Sequence, residues 1–183
     1  MRAFADRYPD QTAGLVLLDP AHERQFDRLP DDAVAEFEEA DRVFRWAARL
    51  ARLGVFRIGN PQAQATVDLP VTAAEQIVRV SAAARYWQAA GAEVDAFDTL
   101  AAAPSHDLGD RPVMIISAGR DVPDGPPVRE ALDDLHRELA SRAPQATHHT
   151  IDDADHLTLL TVEEHARQVS DLIAVLLRQV VDH

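Results

Sequence analysis

Three side chains in this sequence combine types and surroundings suited to proton transfer. His156 lies in the run Asp152-Asp153-Ala154-Asp155-His156-Leu157, and two carboxylates each follow an unbroken apolar run. Gly14-Leu15-Val16-Leu17-Leu18 leads to Asp19-Pro20, and Val113-Met114-Ile115-Ile116 leads through Ser117-Ala118-Gly119-Arg120 to Asp121. An imidazole titrates near neutrality and can take a proton from a nucleophile, while a buried carboxylate fixes its tautomer and stabilises the imidazolium that forms. Carboxylates close to the ring favour its charged form, so Asp152, Asp153 and Asp155 predict a raised pKa for His156. The chain has no cysteine, which removes thiol nucleophiles, thiolate metal sites and disulfides. Its serines, Ser81, Ser105, Ser117, Ser141 and Ser170, lack the flanking glycines of a nucleophile turn.

Such residues, far apart in sequence, meet only if the chain gathers strand-end loops on one edge of a sheet. The two apolar runs show no alternation, as expected of strands buried on both faces, and Thr147 to Ile151 is a weaker, alternating strand suited to a sheet edge. Between the last two strands Val128, Leu132, Leu135 and Leu139 form one helical stripe; after the third, Thr161-Val162-Glu163-Glu164 reads as a capping box opening a helix with Val169, Ile173 and Leu176 in register. Arg2 to Tyr8 reads as the end of a helix, with Phe4 and Tyr8 one turn apart. Strands separated by amphipathic helices predict an α/β fold with about three parallel strands. The interval of roughly residues 21 to 104 carries only helical patterns and is too long for a crossover, so it reads as an inserted helical unit. Its helices are expected at Asp32 to Leu53, Thr72 to Ala90 and roughly Ala92 to Ala102, with Phe37, Phe44, Trp46, Tyr86 and Trp87 packing them together.

The 183 residues suffice for one core with an insertion, and 46% hydrophobic with 27% charged residues is an ordinary globular composition. A formal net charge of −13 argues against nucleic acid or anionic membrane as partner. Arg42, Arg45, Arg49 and Arg52 are interleaved with acids and read as a solvated helix face. No stretch approaches the roughly 20 apolar residues of a membrane span, and the first residues lack the apolar region of a signal peptide, so a cytoplasmic location is expected. No metal is expected either, because the acids near His156 have no second histidine at ligand spacing and His148 and His149 face opposite sides of a strand.

Arg2-Ala3-Phe4-Ala5-Asp6-Arg7-Tyr8-Pro9-Asp10-Gln11 with Ala13-Gly14-Leu15-Val16-Leu17-Leu18-Asp19-Pro20-Ala21-His22-Glu23, then Leu108 to Asp121, then Asp153-Ala154-Asp155-His156-Leu157, resemble in order the α/β-hydrolase chain from the helix after its nucleophile onward. The resemblance implies a partial α/β-hydrolase core at residues 1–22 and 104–183, with residues 23–103 as a helical cap. It implies a catalytic triad in which Asp121 is the acid and His156 the base, with Asp19 as alternate acid. His22 and Glu23 would lie near the pocket mouth. The GxSxG nucleophile elbow and oxyanion loop of the family have no counterpart, so no nucleophile is assigned. The implied activity is esterase-like hydrolysis of a small-molecule substrate without a cofactor. A non-catalytic alternative is a hydrolase remnant that self-associates through the exposed edge of the strand at Gly14 to Leu18.

Overall fold

The computed structural model describes residues 1–97, 108–120 and 128–181, the side chains of Glu38 and Asp41 excepted. Helix α1 (Arg2–Arg7) leads to strand β1 (Leu15–Leu18), followed by α2 (Gln25–Arg28), α3 (Asp31–Arg52), α4 (Val71–Ser81) and α5 (Ala84–Asp95). Then come β2 (Val113–Ala118), α6 (Val128–Ala140), β3 (Ala146–Ile151), α7 (Thr158–Thr161) and α8 (Glu163–Val181). The fold is α/β: three parallel strands in the order β1-β2-β3, with Leu15 beside Val113 and Val113 beside Ala146.

Strand parity sorts the sheet into two packed faces. Leu15, Leu17, Val113 and Ile115 join Ala5 of α1 and Leu139 of α6 on one face, while Met114, Ile116 and Ala118 join Leu159, Val169 and Leu176 on the other. Helices therefore cover both faces of β2, whose six residues are all buried, as its unalternating sequence requires. A third cluster, Ala47, Ala48, Ala51, Phe56 and Trp87, lies wholly in the interstrand helices. Phe44 and Tyr86 pack against it, Phe37 stacks with Phe26 and Phe97, and Trp46 stays exposed with Arg49 over its ring.

Two local expectations are corrected. The single helix expected over Thr72 to Ala90 is broken, because Ala83 is extended (φ −92°, ψ 137°). Long-range partners terminate α4: the Trp87 indole N–H donates to the Ser81 carbonyl at 2.7 Å, and the Asn60 amide donates to the Val78 carbonyl at 2.8 Å. The Ser81 carbonyl is one that a further helical turn would have used, whereas the Val78 carbonyl also keeps its helical bond from the Ala82 N–H, and the break seats Trp87 in its cluster. The capping box expected at Thr161 does not form: its hydroxyl donates back to the Leu157 carbonyl. The expected helix at Ala92 to Ala102 falls partly outside the described residues. No described helix is long and apolar enough to cross a membrane.

A buried ionic cluster joins α1 to α6 through the segment after β1. The Arg2 guanidinium donates to Glu23 at 3.0 Å and to the Ala21 carbonyl at 3.2 Å, and Arg142 pairs with both Glu23 and Glu138. His22, fully buried, accepts from the Arg24 backbone N–H through Nδ1, and its Nε2 lies 3.1 Å from the Arg142 guanidinium and 3.8 Å from both Glu23 and Glu138. Burial pushes the Glu23 pKa up, but its backbone bond and the two arginines prevail and hold it at about 2, against an ordinary 4.5. A carboxylate depressed in this way contributes stability that is present above pH 4.5 and lost as the pH falls toward 2. Glu23→Gln, which leaves two cations short of a buried partner, is expected to cost about 3 kcal/mol at pH 7 and to flatten the acid limb of the stability curve measured by urea unfolding.

Candidate active site

The sheet brings His156 to Asp19. The imidazole Nδ1 lies 2.8 Å from Asp19 Oδ2, across 137 residues of sequence. Asp19 closes β1 and is the one described non-glycine residue with a positive φ, 41°, which turns its carboxylate back over the strand ends. That carboxylate is only 7% exposed, so its charge must be met by donors. Oδ1 accepts from the Ala118 backbone N–H at 3.1 Å and from the Arg129 guanidinium at 3.3 Å; Oδ2 accepts from His156. Burial alone would raise its pKa, yet the bonds from His156 and Ala118 and the charge of Arg129 hold it below the ordinary carboxylate value.

His156 itself is 71% exposed. Because ionised Asp19 can only accept, the proton on Nδ1 is fixed and Nε2 carries the free lone pair; Nε2 has no hydrogen-bond partner among the described residues. The hydrogen bond to Asp19 raises the pKa of His156; partial desolvation and Arg129 oppose the rise, while the charges of Asp19 and Asp155 add to it. The direction is the one expected from sequence, but its main source is Asp19 rather than the adjacent acids. Asp155 is engaged by Arg120 and by the Thr158 backbone N–H, and Asp152 and Asp153 are exposed.

The loops after β2 and β3 are fastened together beneath His156. Gly119 N–H donates to Ile151 at 2.9 Å, and Arg120 N–H donates to Ala154, also at 2.9 Å. A Cβ on Gly119 would lie 2.5 Å from the Cα of Asp152, so only glycine permits this approach. Asp155 then opens α7, accepting from the backbone N–H groups of Leu157 and Thr158 and so fixing the direction in which His156 leaves the loop.

Asp121, ranked first as acid from the sequence, lies outside the described residues, as does Ser105. The remaining serines are committed elsewhere: Ser81 bonds Ile77 and Asn60, Ser117 is buried between His136 and His148, and Ser141 and Ser170 bond back along their own helices. None bonds His156. His22 and Glu23, expected at a pocket mouth, sit in the buried ionic cluster. Arg129 carries no mark of this role in the sequence, since a lone arginine at the start of a helical stripe gives no signal of its tertiary partner.

Next to His156, its neighbour Leu157 lines a groove of about 440 Å³ together with Gln62, Thr66, Ile77, Val80 and Tyr86. A separate hollow of about 310 Å³ among Arg45, Arg49 and Trp87 belongs to the interstrand helices and includes neither Asp19 nor His156. Among the described residues, no group of three or more histidines or carboxylates is placed to hold a metal ion. Chemically, an imidazole with its free nitrogen exposed and the other held by a buried carboxylate can serve as a general base.

Titrating His156 by NMR should give a midpoint above 6.5, and Asp19→Asn should return it to that value or below. A midpoint at or below 6.5 in the unaltered protein would remove the pair from consideration as an acid–base unit.

No protein-family model matches the sequence, and no curated protein matches it. Among solved structures, a thermophilic esterase from Thermogutta terrifontis, determined with malate bound, is similar at 24% identity with a TM-score of 0.46. The likeness covers 98% of this chain, which spans 60% of the length of that esterase.

Proposed function

We propose that the chain is the acid- and histidine-bearing part of an α/β-hydrolase that cleaves an ester or related acyl bond. The observation that carries this reading is the 2.8 Å contact between His156 Nδ1 and buried Asp19, at the ends of parallel strands and with Nε2 left free. In this reading residues 1–22 and 104–183 are the core and residues 23–103 the cap. His156 Nε2 takes the proton of a hydroxyl nucleophile as its oxygen attacks the acyl carbon, and the imidazolium returns that proton to the departing alcohol; water then releases the acyl group by the same two transfers. Asp19, not Asp121, holds the ring, and the nucleophile is supplied by residues other than these 183. Acyl transfer to water needs no cofactor, and Ile77, Val80, Tyr86 and Leu157 suit an apolar group of a small-molecule substrate.

The test has two arms. In-frame translation of the DNA upstream of the Met1 codon is expected to give a GxSxG motif directly before it. The 183-residue chain should then show no His156-dependent hydrolysis of p-nitrophenyl acetate, whereas the chain extended by that segment should hydrolyse it. In the extended chain, His156→Ala should lower kcat/KM by about 100-fold to 10,000-fold. Asp19→Asn should lower kcat/KM while Asp121→Asn does not. His156-dependent turnover by the 183 residues alone would mean that a nucleophile lies within them.

A second reading, association without catalysis, is favoured by one feature of the sheet. Leu15 and Asp19 donate toward β2, to Pro112 and Ile116, so by alternation Val16 and Leu18 turn their backbone groups toward the other edge of β1, where no described strand pairs. On this reading the chain dimerises through β1, and light scattering should show a concentration-dependent dimer that Val16→Pro abolishes by deleting an outward N–H. An in-frame stop close upstream of Met1, together with such a dimer, would replace the hydrolase reading with this one.

A further inference from the structure

On the α6 side of the sheet, a chain of buried polar groups runs to the turn that carries Asp19. Ser117 continues the parity of Val113 and Ile115, so its fully buried hydroxyl faces α6 rather than solvent. There it lies 2.6 Å from Nδ1 of His136 on α6 and 2.7 Å from Nε2 of His148 on β3. The other nitrogen of His136, Nε2, lies 2.9 Å from the carbonyl oxygen of Pro20, the residue after Asp19.

These contacts permit one assignment of protons. A carbonyl only accepts, so His136 carries its proton on Nε2 and donates it to Pro20. Its Nδ1 must then accept, and the donor is the Ser117 hydroxyl. The serine oxygen, having given its proton inward, accepts from His148 Nε2–H. Burial keeps both imidazoles neutral near pH 7, working against Asp19 and the Pro20 bond at His136 and against Asp133 at His148. The Ser117 hydroxyl, both ring nitrogens of His136 and Nε2 of His148 each have a partner, as a buried polar chain needs to hold one geometry.

We infer that His136 is a positioning residue for the Asp19–His156 pair, acting through its hydrogen bond to Pro20 with Ser117 and His148 fixing its tautomer. The left-handed backbone of Asp19 costs about 1 kcal/mol or more for a residue with a Cβ and persists only where its surroundings over-determine it. Before the strained residue the anchor is the ladder: Asp19 N–H donates to Ile116 at 2.7 Å. At the residue it is the Ala118 N–H on Oδ1. After it stands Pro20, which has no N–H of its own, so the hold beyond the turn comes through its carbonyl, and His136 supplies it. Without that bond the turn relaxes toward negative φ and swings the Asp19 carboxylate away from His156.

This inference rests on the reading of Asp19 and His156 as a working pair, but its test does not use turnover, so the failure of one is distinguishable from the failure of the other. In the full chain, nitrogen chemical shifts should show His136 as the neutral Nε2–H tautomer across pH 6 to 8. His136→Leu should lower the His156 midpoint by about half a unit or more, because the Asp19 contact is its largest support. His136→Gln, whose amide can donate from nearly the Nε2 position, should leave that midpoint unchanged. A purely structural role for His136 would lower stability in both variants without moving His156 in the folded molecules. The inference is overturned if the leucine variant folds and titrates at His156 like the unaltered protein, or if both variants shift it equally. Should the leucine variant not fold, finding the Nδ1–H tautomer or a charged His136 in the unaltered protein overturns it equally.

Discussion

A carboxylate that is 93% covered and still charged sets the terms for the rest of the structure. Leaving such a group without donors would cost several kcal/mol, so three elements must deliver N–H groups to one point: β2 through Ala118, α6 through Arg129, and the loop after β3 through His156. Parallel pairing makes this possible, since Leu18 and Ile116 are in register and Asp19 and Ala118 follow each of them within two residues. The left-handed turn at Asp19 is then the local cost of aiming the carboxylate back across the strand ends.

Arg129 and His156 share this carboxylate, and their roles differ because their exposure differs. Arg129 is largely buried, with Nε and Nη2 unpartnered among the described residues, so its charge is poorly screened. It keeps Asp19 ionised and at the same time works against protonation of His156. The imidazole thus feels an anion in direct contact and a cation behind it, which limits how far its pKa can rise. Such moderation suits a base that must be neutral to accept a proton and charged only transiently.

Much of this architecture was legible because burial writes itself into composition. The unbroken runs at Leu15 to Leu18 and Val113 to Ile116 could only be strands covered on both sides, and the stripe Leu132-Leu135-Leu139 could only be a helix against them. What stayed hidden depended on contacts between distant residues. The break at Ala83 goes with a long-range contact, the Trp87 indole taking the carbonyl of Ser81. The contact between Asp19 and His156 could not be read from a strand end alone, since it turns on a backbone angle at residue 19. The pKa of His156 was expected in the right direction from local acids, yet its largest support is the distant Asp19, while Asp155, which adds to the rise, points toward Arg120 and the backbone of Thr158.

One signal in the sequence was stronger than it looked. Ser117 follows four apolar residues and shares the parity of Val113 and Ile115, so a strand assignment already commits its hydroxyl to a buried face. A buried hydroxyl requires a partner, and the helix that covers that face buries His136 there, beside Leu135 and Leu139. Parity on β3 likewise separates His148, which faces this helix, from His149, which does not. The same alternation rule that places apolar side chains thus predicts which polar ones must find each other, and here that pairing lies directly beneath the turn on which Asp19 stands.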